Sequence, residues 1–460
     1  MKRGVLRLIP AVAIALACAP VSQGGTAITP ELAVAPAETL PPDFPATALP
    51  PASIPAQCEG VPIATLSADT RSAETAPPIQ QNPSLTAEQQ QRVIDGLVNA
   101  VLEHYVYPEA AGPDWLAGTA ETRARVGAGL ETEAFYEEIQ GLVTALGDEH
   151  SYFQTPVEVA EDTASIAGTY NFVGIGALFQ PMEETDSAAV LAVFEGGSAW
   201  HAGLEQHDSL LAVDGGAIRE TWGRSRTLGP ECSAVVVTVS RPGGPPRDLT
   251  LIRAAVAGQL PIHPRLVPTS DGSKIGYIFL PTLLDESLPV RFRDALESFG
   301  PLDGLILDNR MNGGGLGSVS RALLGHFISG DVGDFVSREG AEALVVEADP
   351  VHNSQEVPLV VLVSENTVSY GEVLAGILQD LGRAQVVGQT TLGNVEQLRA
   401  YDFEDGSRGW LATATFDPAN SQADWEVAGI VPDGQVIAAW DAFTFETDPA
   451  ISAAFSLWGR

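Results

Sequence analysis

The chain has 460 residues, 45% of them hydrophobic, enough to bury a large core spread over two or three domains. Asp and Glu outnumber Lys and Arg by 59 to 24, giving a formal charge of -35. A surface that acidic is repelled by nucleic acid and by anionic lipid, so neither is expected as a partner.

The N-terminus reads as a targeting segment. Lys2, Arg3 and Arg7 precede a small and apolar run, Leu8 to Ala17, which ends in Ala15, Leu16, Ala17 and Cys18. A basic start, a short apolar stretch and an Ala-x-Ala site predict a secretory signal over 1–18, too short to span a bilayer permanently. Two outcomes stay open: plain secretion, or a lipoprotein lipidated at Cys18, although Ala15 stands where that signal usually carries a larger aliphatic residue. Either way the expected location is outside the cytoplasm, where thiols oxidise. Cys58 and Cys232 are then a candidate disulfide, and the sequence leaves open whether they meet. No other long apolar run predicts a membrane span.

Residues 19–85 are rich in Pro, Ala and Thr and read as a flexible linker. At Thr86 the pattern turns helical. Thr86 and Gln89 form a capping-box pattern, and Val93, Leu97, Val101 and Tyr105 follow at helical spacing. A second periodic stretch, Phe135 to Leu146, runs into Asp148, Glu149, His150 and Ser151. Residues 86–160 are expected to form a small helical N-terminal domain closing on that polar cluster.

Residues 167–256 read as short strands broken by turns. Val173-Gly174-Ile175-Gly176, then Gly197 to Gly203, then Asp208 to Asp214, then the run Val235 to Arg241 occur in an order that resembles a PDZ domain. The resemblance implies that amides of Val173, Gly174, Ile175 and Gly176 receive a peptide's terminal carboxylate while the peptide lies down as an added strand. A generic small β-domain is the alternative.

From 262 to 445 strands alternate with helical stretches. Ile275–Leu280, Gly304–Leu307, Pro358–Val363 and Gln385–Val387 are apolar runs of strand length, with amphipathic patterns at 288–298 and 371–382. This predicts a parallel or mixed sheet flanked by helices, within an α+β multidomain chain. At Val361–Val363 the apolar run stops, and a helical pattern starts just after Ser369. Such a turn exposes a hydroxyl at its apex, although a serine before a helix is also an ordinary N-cap.

Several motifs in order resemble the C-terminal processing peptidases and the related tricorn-type core, the S41 serine peptidases with a crotonase-like α/β core. They are Gly276 to Pro281, Asp308 to Gly315, the Ser369 segment, Gly388 to Gly393 and Gly429 to Asp433. The similarity spans about residues 86 to 440. It implies that Ser369 is the nucleophile, and that the oxyanion amides come from Gly314, or Gly313 beside it, and from Tyr370. Common members use a lysine base in a Thr-x-Gly-Lys turn, and this chain has Asn394 at that place. The only two lysines are Lys2 and Lys274, so none can substitute. His150 resembles the tricorn-branch histidine, and Glu426, three residues before Gly429, matches that branch's glutamate. The expected site is therefore Ser369, His150 and Glu426, with Glu426 holding the imidazole directly or through Ser151 or water; Glu396 and Glu372 are also available for that place. Glu372 is expected to pin the nucleophile helix, and Asn394, Glu396 and Gln397 to shape the site.

An exported endopeptidase acting on polypeptide through an acyl-enzyme follows from this. The alternative is a silent peptide- or ligand-binding protein on the same scaffold, which the missing lysine would suit. No metal, nucleotide or flavin motif is present, and the remaining histidines lack partners at metal spacing, so no cofactor is expected.

Overall fold

The computed structural model describes residue 58, the strand Ala64–Thr65, and residues 82–159, 170–182, 187–219 and 225–459. The expected signal, Cys18 and most of the linker lie outside the described residues. Among the described residues, no helix is long and apolar enough to cross a membrane.

The helix Ala87–His104 starts at the capping box: the Gln89 amide donates to Thr86 Oγ1 at 3.3 Å, and the Thr86 amide to Gln89 Oε1 at 2.9 Å. Val93, Leu97, Val101 and Tyr105 are buried on its inner face. Two further helices, Pro113–Gly127 and Thr132–Thr144, pack with it. The middle one has no counterpart in the sequence reading, because Thr119 and Thr122 occupy its buried face and break the apolar stripe. The helices share one apolar cluster with Leu411 and Ala412, which lie on the long strand Arg408–Pro418.

That strand receives the helical segment by main-chain pairing. Tyr152–Gln154 runs antiparallel to it, with Tyr152 opposite Trp410 and Gln154 opposite Arg408, and the Val106 amide donates to the Ala412 carbonyl at 2.9 Å. The sheet also contains Gly330–Ser337, Gly340–Val346 and Gln397–Asp402. The sequence reading assigned no strands there; acidic residues such as Asp331 and Glu342 stand exposed on these strands and dilute the apolar signal.

The core sheet is the expected one. Ile275–Phe279, Gly304–Asp308, Leu359–Val363, Gln385–Gly388 and Gly434–Gln435 run parallel, with Arg265–Val267 antiparallel at one edge. Both faces are covered, so the strands are continuous apolar runs. Leu305, Leu307, Val361 and Val363 face the helices Leu288–Phe299, Gly317–Gly325 and Tyr370–Asp380. Ile306, Val360, Leu362 and Val387 face the helix Pro449–Leu457 together with Leu178, Ala189 and Leu191.

Those last three residues belong to the antiparallel sheet built from Ala177–Met182, Ser187–Val193, Ser209–Val213, Ser233–Ser240 and Arg247–Ile252. Ala64–Thr65 adds to it in parallel beside Ser233, and Cys58 is disulfide-bonded to Cys232. At the joint with the core, His207 Nδ1 lies 2.8 Å from the Trp440 carbonyl. Arg310 sits over the Trp440 ring and bridges Asp308 at 2.6 Å and Asp448 at 2.5 Å.

Candidate active site

The site is built at the carboxyl ends of the parallel strands, where loops are free to carry chemistry. The strand Leu359–Val363 ends at Ser364, and the helix Tyr370–Asp380 begins directly after Ser369. Ser369 is half-buried and has φ 56° and ψ -131°, a left-handed backbone that costs a non-glycine residue about 1–3 kcal/mol unless its surroundings impose it. They do. Ser364 Oγ donates to the Arg310 carbonyl at 2.5 Å, Thr367 Oγ1 to the Asn309 carbonyl at 2.8 Å, and the Val368 amide to the Asn312 carbonyl at 2.9 Å. Asn309 Nδ2 returns a bond to the Gly371 carbonyl at 2.8 Å. The Ser369 turn is thus laced to the loop Asp308–Gly315 along its length.

Gly314 has φ 91°, and a Cβ added there would lie 2.6 Å from Ser369 Cβ and 3.2 Å from its Oγ. Only glycine lets the loop approach the hydroxyl that closely. Its amide is nevertheless committed elsewhere, donating to Asn312 Oδ1 at 2.9 Å. The expected donor at Gly314 therefore does not hold in this arrangement: an Asx turn, invisible as a periodic pattern, takes the N–H. The half-buried Gly313 and the amide of Tyr370 are the remaining candidates.

Glu372, fully buried, organises the other side. Its Oε1 accepts from Thr391 Oγ1 at 2.5 Å and the Gly393 amide at 2.7 Å; its Oε2 accepts from the Asn394 amide at 2.9 Å and the Ser369 amide at 3.2 Å. Burial pushes its pKa up, against the pull of these donors. The turn 391–394 is fastened to the Ser369 amide by this one carboxylate. Asn394 is buried, and its Nδ2 has no hydrogen-bond partner. Gln397 Nε2 donates to the Tyr370 hydroxyl at 3.1 Å, steadying the ring that follows the nucleophile.

His150 is 4% exposed, and its Nδ1 lies 3.2 Å from Glu396 Oε2. The carboxylate at the imidazole is thus Glu396, where the sequence reading placed Glu426. Ser151 does not serve as the expected bridge, since its Oγ accepts the Ala412 amide at 2.9 Å and secures the strand docking. Asp148 shapes the turn by accepting the His150 amide at 2.9 Å and the Ser151 amide. Glu396 Oε1 accepts from the Tyr107 hydroxyl at 3.1 Å, a contact the sequence offered no signal for. Glu426 accepts the Val395 amide at 2.9 Å, and its carboxyl lies close enough to that of Glu396 for each to shift the other's pKa. The two carboxyls move apart: Glu426 is raised by burial and by Glu396, whereas Glu396 is lowered because its bonds to His150 and Glu426 outweigh its own burial.

Tyr170–Gly174 and Ala254–Gly258 pair antiparallel as a separate two-stranded sheet. The Ile175 carbonyl accepts the Ala199 amide at 2.8 Å and the Gly176 carbonyl the Phe194 amide at 3.0 Å, while the Val173 carbonyl accepts from Gly229 at 3.2 Å. Ala177–Met182 is the outermost strand of its sheet among the described residues. Among the described residues, no cluster of three or more His, Cys, Asp or Glu side chains is arranged to hold a metal ion.

A hydroxyl on a strained strand-to-helix elbow against a glycine loop, with a buried histidine–carboxylate pair that begins two residues beyond the turn fastened to that elbow, suits acyl transfer. Comparison with known proteins agrees. Residues 274–436 match Peptidase family S41. The C-terminal processing peptidase of Tetradesmus obliquus chloroplasts is 30% identical over 330 residues, covering 65% of this chain and 68% of that protein. The carboxyl-terminal-processing protease of Synechocystis sp. is 28% identical over 326 residues, covering 69% and 74%. Among solved structures, the photosystem II D1 C-terminal processing protease is 26% identical with a TM-score of 0.51, over 76% of this chain and 93% of its own. A putative S41 protease from Bacteroides fragilis shares the fold with a TM-score of 0.56 at 15% identity, over 79% and 96%. The chain belongs to peptidase family S41 and is a serine peptidase related to the C-terminal processing peptidases.

Proposed function

We propose that this enzyme is an exported endopeptidase that cleaves unfolded or C-terminally presented polypeptide, with Ser369 as nucleophile and His150 as general base and then acid. Glu396 orients the imidazole. Ser369 Oγ attacks the scissile carbonyl as its proton passes to His150; the imidazolium then protonates the leaving amine, and water hydrolyses the acyl-enzyme by the reverse sequence. The amides of Gly313 and Tyr370 are assigned to the developing oxyanion. The observation that carries the reading is the anchoring of His150 on Glu396, two residues beyond the turn that Glu372 fastens to the Ser369 amide. With Asn394 in the lysine's place, the imidazole supplies the base that serine needs.

Residues 167–256 are proposed to act as a PDZ domain, the helical segment 86–160 and the core 262–445 being the other two units. Ala177–Met182 has an outer edge to which a peptide strand can add, with the stretch Val173–Gly176, the end of the preceding strand and the turn after it, receiving the terminal carboxylate. Export is supported by the signal-like N-terminus and by the disulfide, which persists in oxidising compartments.

A fluorophosphonate probe tests the chemistry. Labelling of the mature protein, abolished in Ser369→Ala and cut by about a hundredfold or more in His150→Ala, is expected. Labelling at wild-type rate in His150→Ala would sink the base assignment, and no labelling of the wild type would favour the silent binding protein.

A further inference from the structure

Among the described residues Glu426 has no hydrogen bond to the hydroxyl or the imidazole, yet it accepts the amide of Val395, the residue before Glu396, at 2.9 Å, and its carboxyl lies close enough to the one that faces His150 for each to shift the other's pKa. Two carboxyls in that relation need a proton between them, because both cannot be ionised so close together. The donors decide which one keeps it. Glu396 is 2% exposed and has both oxygens loaded, Oε1 by the Tyr107 hydroxyl and Oε2 by His150 Nδ1. Glu426 receives one recorded donor, the Val395 amide on Oε2. The anion is therefore Glu396 and the acid is Glu426.

We propose that Glu426 is a positioning residue that works as a neutral carboxylic acid, donating its proton toward Glu396 so that the carboxylate beside His150 stays anionic, fixed in direction and weakly basic. This rests on the reading of His150 as base. Its consequence for the chemistry is specific. A carboxylate that accepts a strong hydrogen bond on its far side has less tendency to strip the Nδ1 proton from the imidazolium, so that proton stays on the ring while Nε2 exchanges with substrate. When the acid ionises at high pH, a second negative charge faces Glu396 and the arrangement loses its hydrogen bond.

The titratable groups facing the pair are His150 from the segment after the third helix, Tyr105 and Tyr107 after the first, and Glu372 from the helix Tyr370–Asp380. Apart from His150 these carry no positive charge, so nothing among them neutralises a second anion. The directions of the two pKa shifts agree with the geometry: burial and Glu396 raise Glu426, while Glu396 itself is lowered.

The test compares Glu426→Gln, Glu426→Ala and Glu396→Gln in the full mature enzyme, reading the rate of fluorophosphonate labelling from acid to alkaline pH. Glutamine mimics the neutral acid, so Glu426→Gln is expected to label within about threefold of wild type at neutral pH and to hold its rate at alkaline pH where wild type declines. Glu426→Ala should lose about tenfold or more, and Glu396→Gln about a hundredfold or more. A Glu426→Gln enzyme as damaged at neutral pH as Glu396→Gln, or one that keeps the wild-type alkaline decline, overturns the proposal. If the glutamine variant does not fold, infrared spectroscopy of the wild type at neutral pH decides: the carbonyl stretch of a buried protonated carboxyl is expected, and its absence overturns the proposal. Failure of the underlying reading looks different, because His150→Ala would then label at the wild-type rate whatever stands at 426.

Discussion

Glu372 Oε2 accepts the backbone amides of both Ser369 and Asn394, at 3.2 and 2.9 Å, so one side chain sets the distance between Ser369 and the turn opposite it. Both of its oxygens face donors only. A glutamine there must turn its NH2 toward either Thr391 and Gly393 or Ser369 and Asn394, leaving donors opposed whichever way it sits. Glu372→Gln is expected to cost about 1–3 kcal/mol in chemical denaturation and to slow fluorophosphonate labelling by about tenfold or more. Unchanged stability with unchanged labelling would show that the carboxylate is not the fastener.

Tyr107 reaches the site from outside the core, donating to Glu396 at 3.1 Å. Tyr107→Phe removes only that hydroxyl. On the proposed mechanism kcat should fall about tenfold with KM unchanged, since the bond supports the charge behind the base and not substrate binding. A change confined to KM would argue that Tyr107 lines the substrate path instead.

The joint between the antiparallel sheet and the core should be acid-sensitive. His207 is 1% exposed, and burial with the nearby Arg310 cation lowers its pKa to about 4; His263 is likewise lowered to about 4 by burial and Arg265. The unfolded chain takes up protons near pH 6.5, before these sites do. The stability they contribute is therefore complete above that pH and is lost as pH falls through 6.5 toward 4. For His207 this amounts to about 2 kcal/mol lost between pH 7 and pH 5. His207→Asn retains a side-chain donor for the Trp440 carbonyl and tolerates the φ of 75°. Urea midpoints of the variant should fall less between those pH values than those of wild type; an equal fall would assign the acid sensitivity elsewhere.

Reduction of the Cys58–Cys232 bond opens a loop closed across a sequence separation of 174. The unfolded chain gains most from losing so long a tether, and a decrease of about 2–4 kcal/mol is expected. Guanidinium midpoints of Cys58→Ser/Cys232→Ser against the oxidised wild type measure it. Coincident curves would mean that the linker and the sheet hold together without the bond.

What could be read from the residues tracks how local the cause was. The core strands stood out because a parallel sheet covered on both faces leaves uninterrupted runs such as Leu359–Val363. The first helix was marked by its capping box, and the nucleophile turn by an apolar run that breaks just before a helical one. The helix at Pro113 was hidden by threonines on its inner face, and the second sheet by exposed acidic residues on its strands. The partner of His150 was legible least of all. Glu396 meets it across 246 residues, through a docking that depends on the register of Tyr152–Gln154 against the long strand. Glu426 has the right neighbours in sequence, but a signature placed three residues upstream of a glycine says nothing about which of two adjacent carboxyls points at a ring.

The pairing of Tyr152–Gln154 with Arg408–Pro418 also fixes when the enzyme can first act. Synthesis runs N-terminus first, so the imidazole emerges long before the hydroxyl, and the strand that receives it follows later still. On the mechanism proposed here a nascent chain is latent by construction. Chain order alone then guards neighbouring polypeptides from premature cutting until the last of these segments is made.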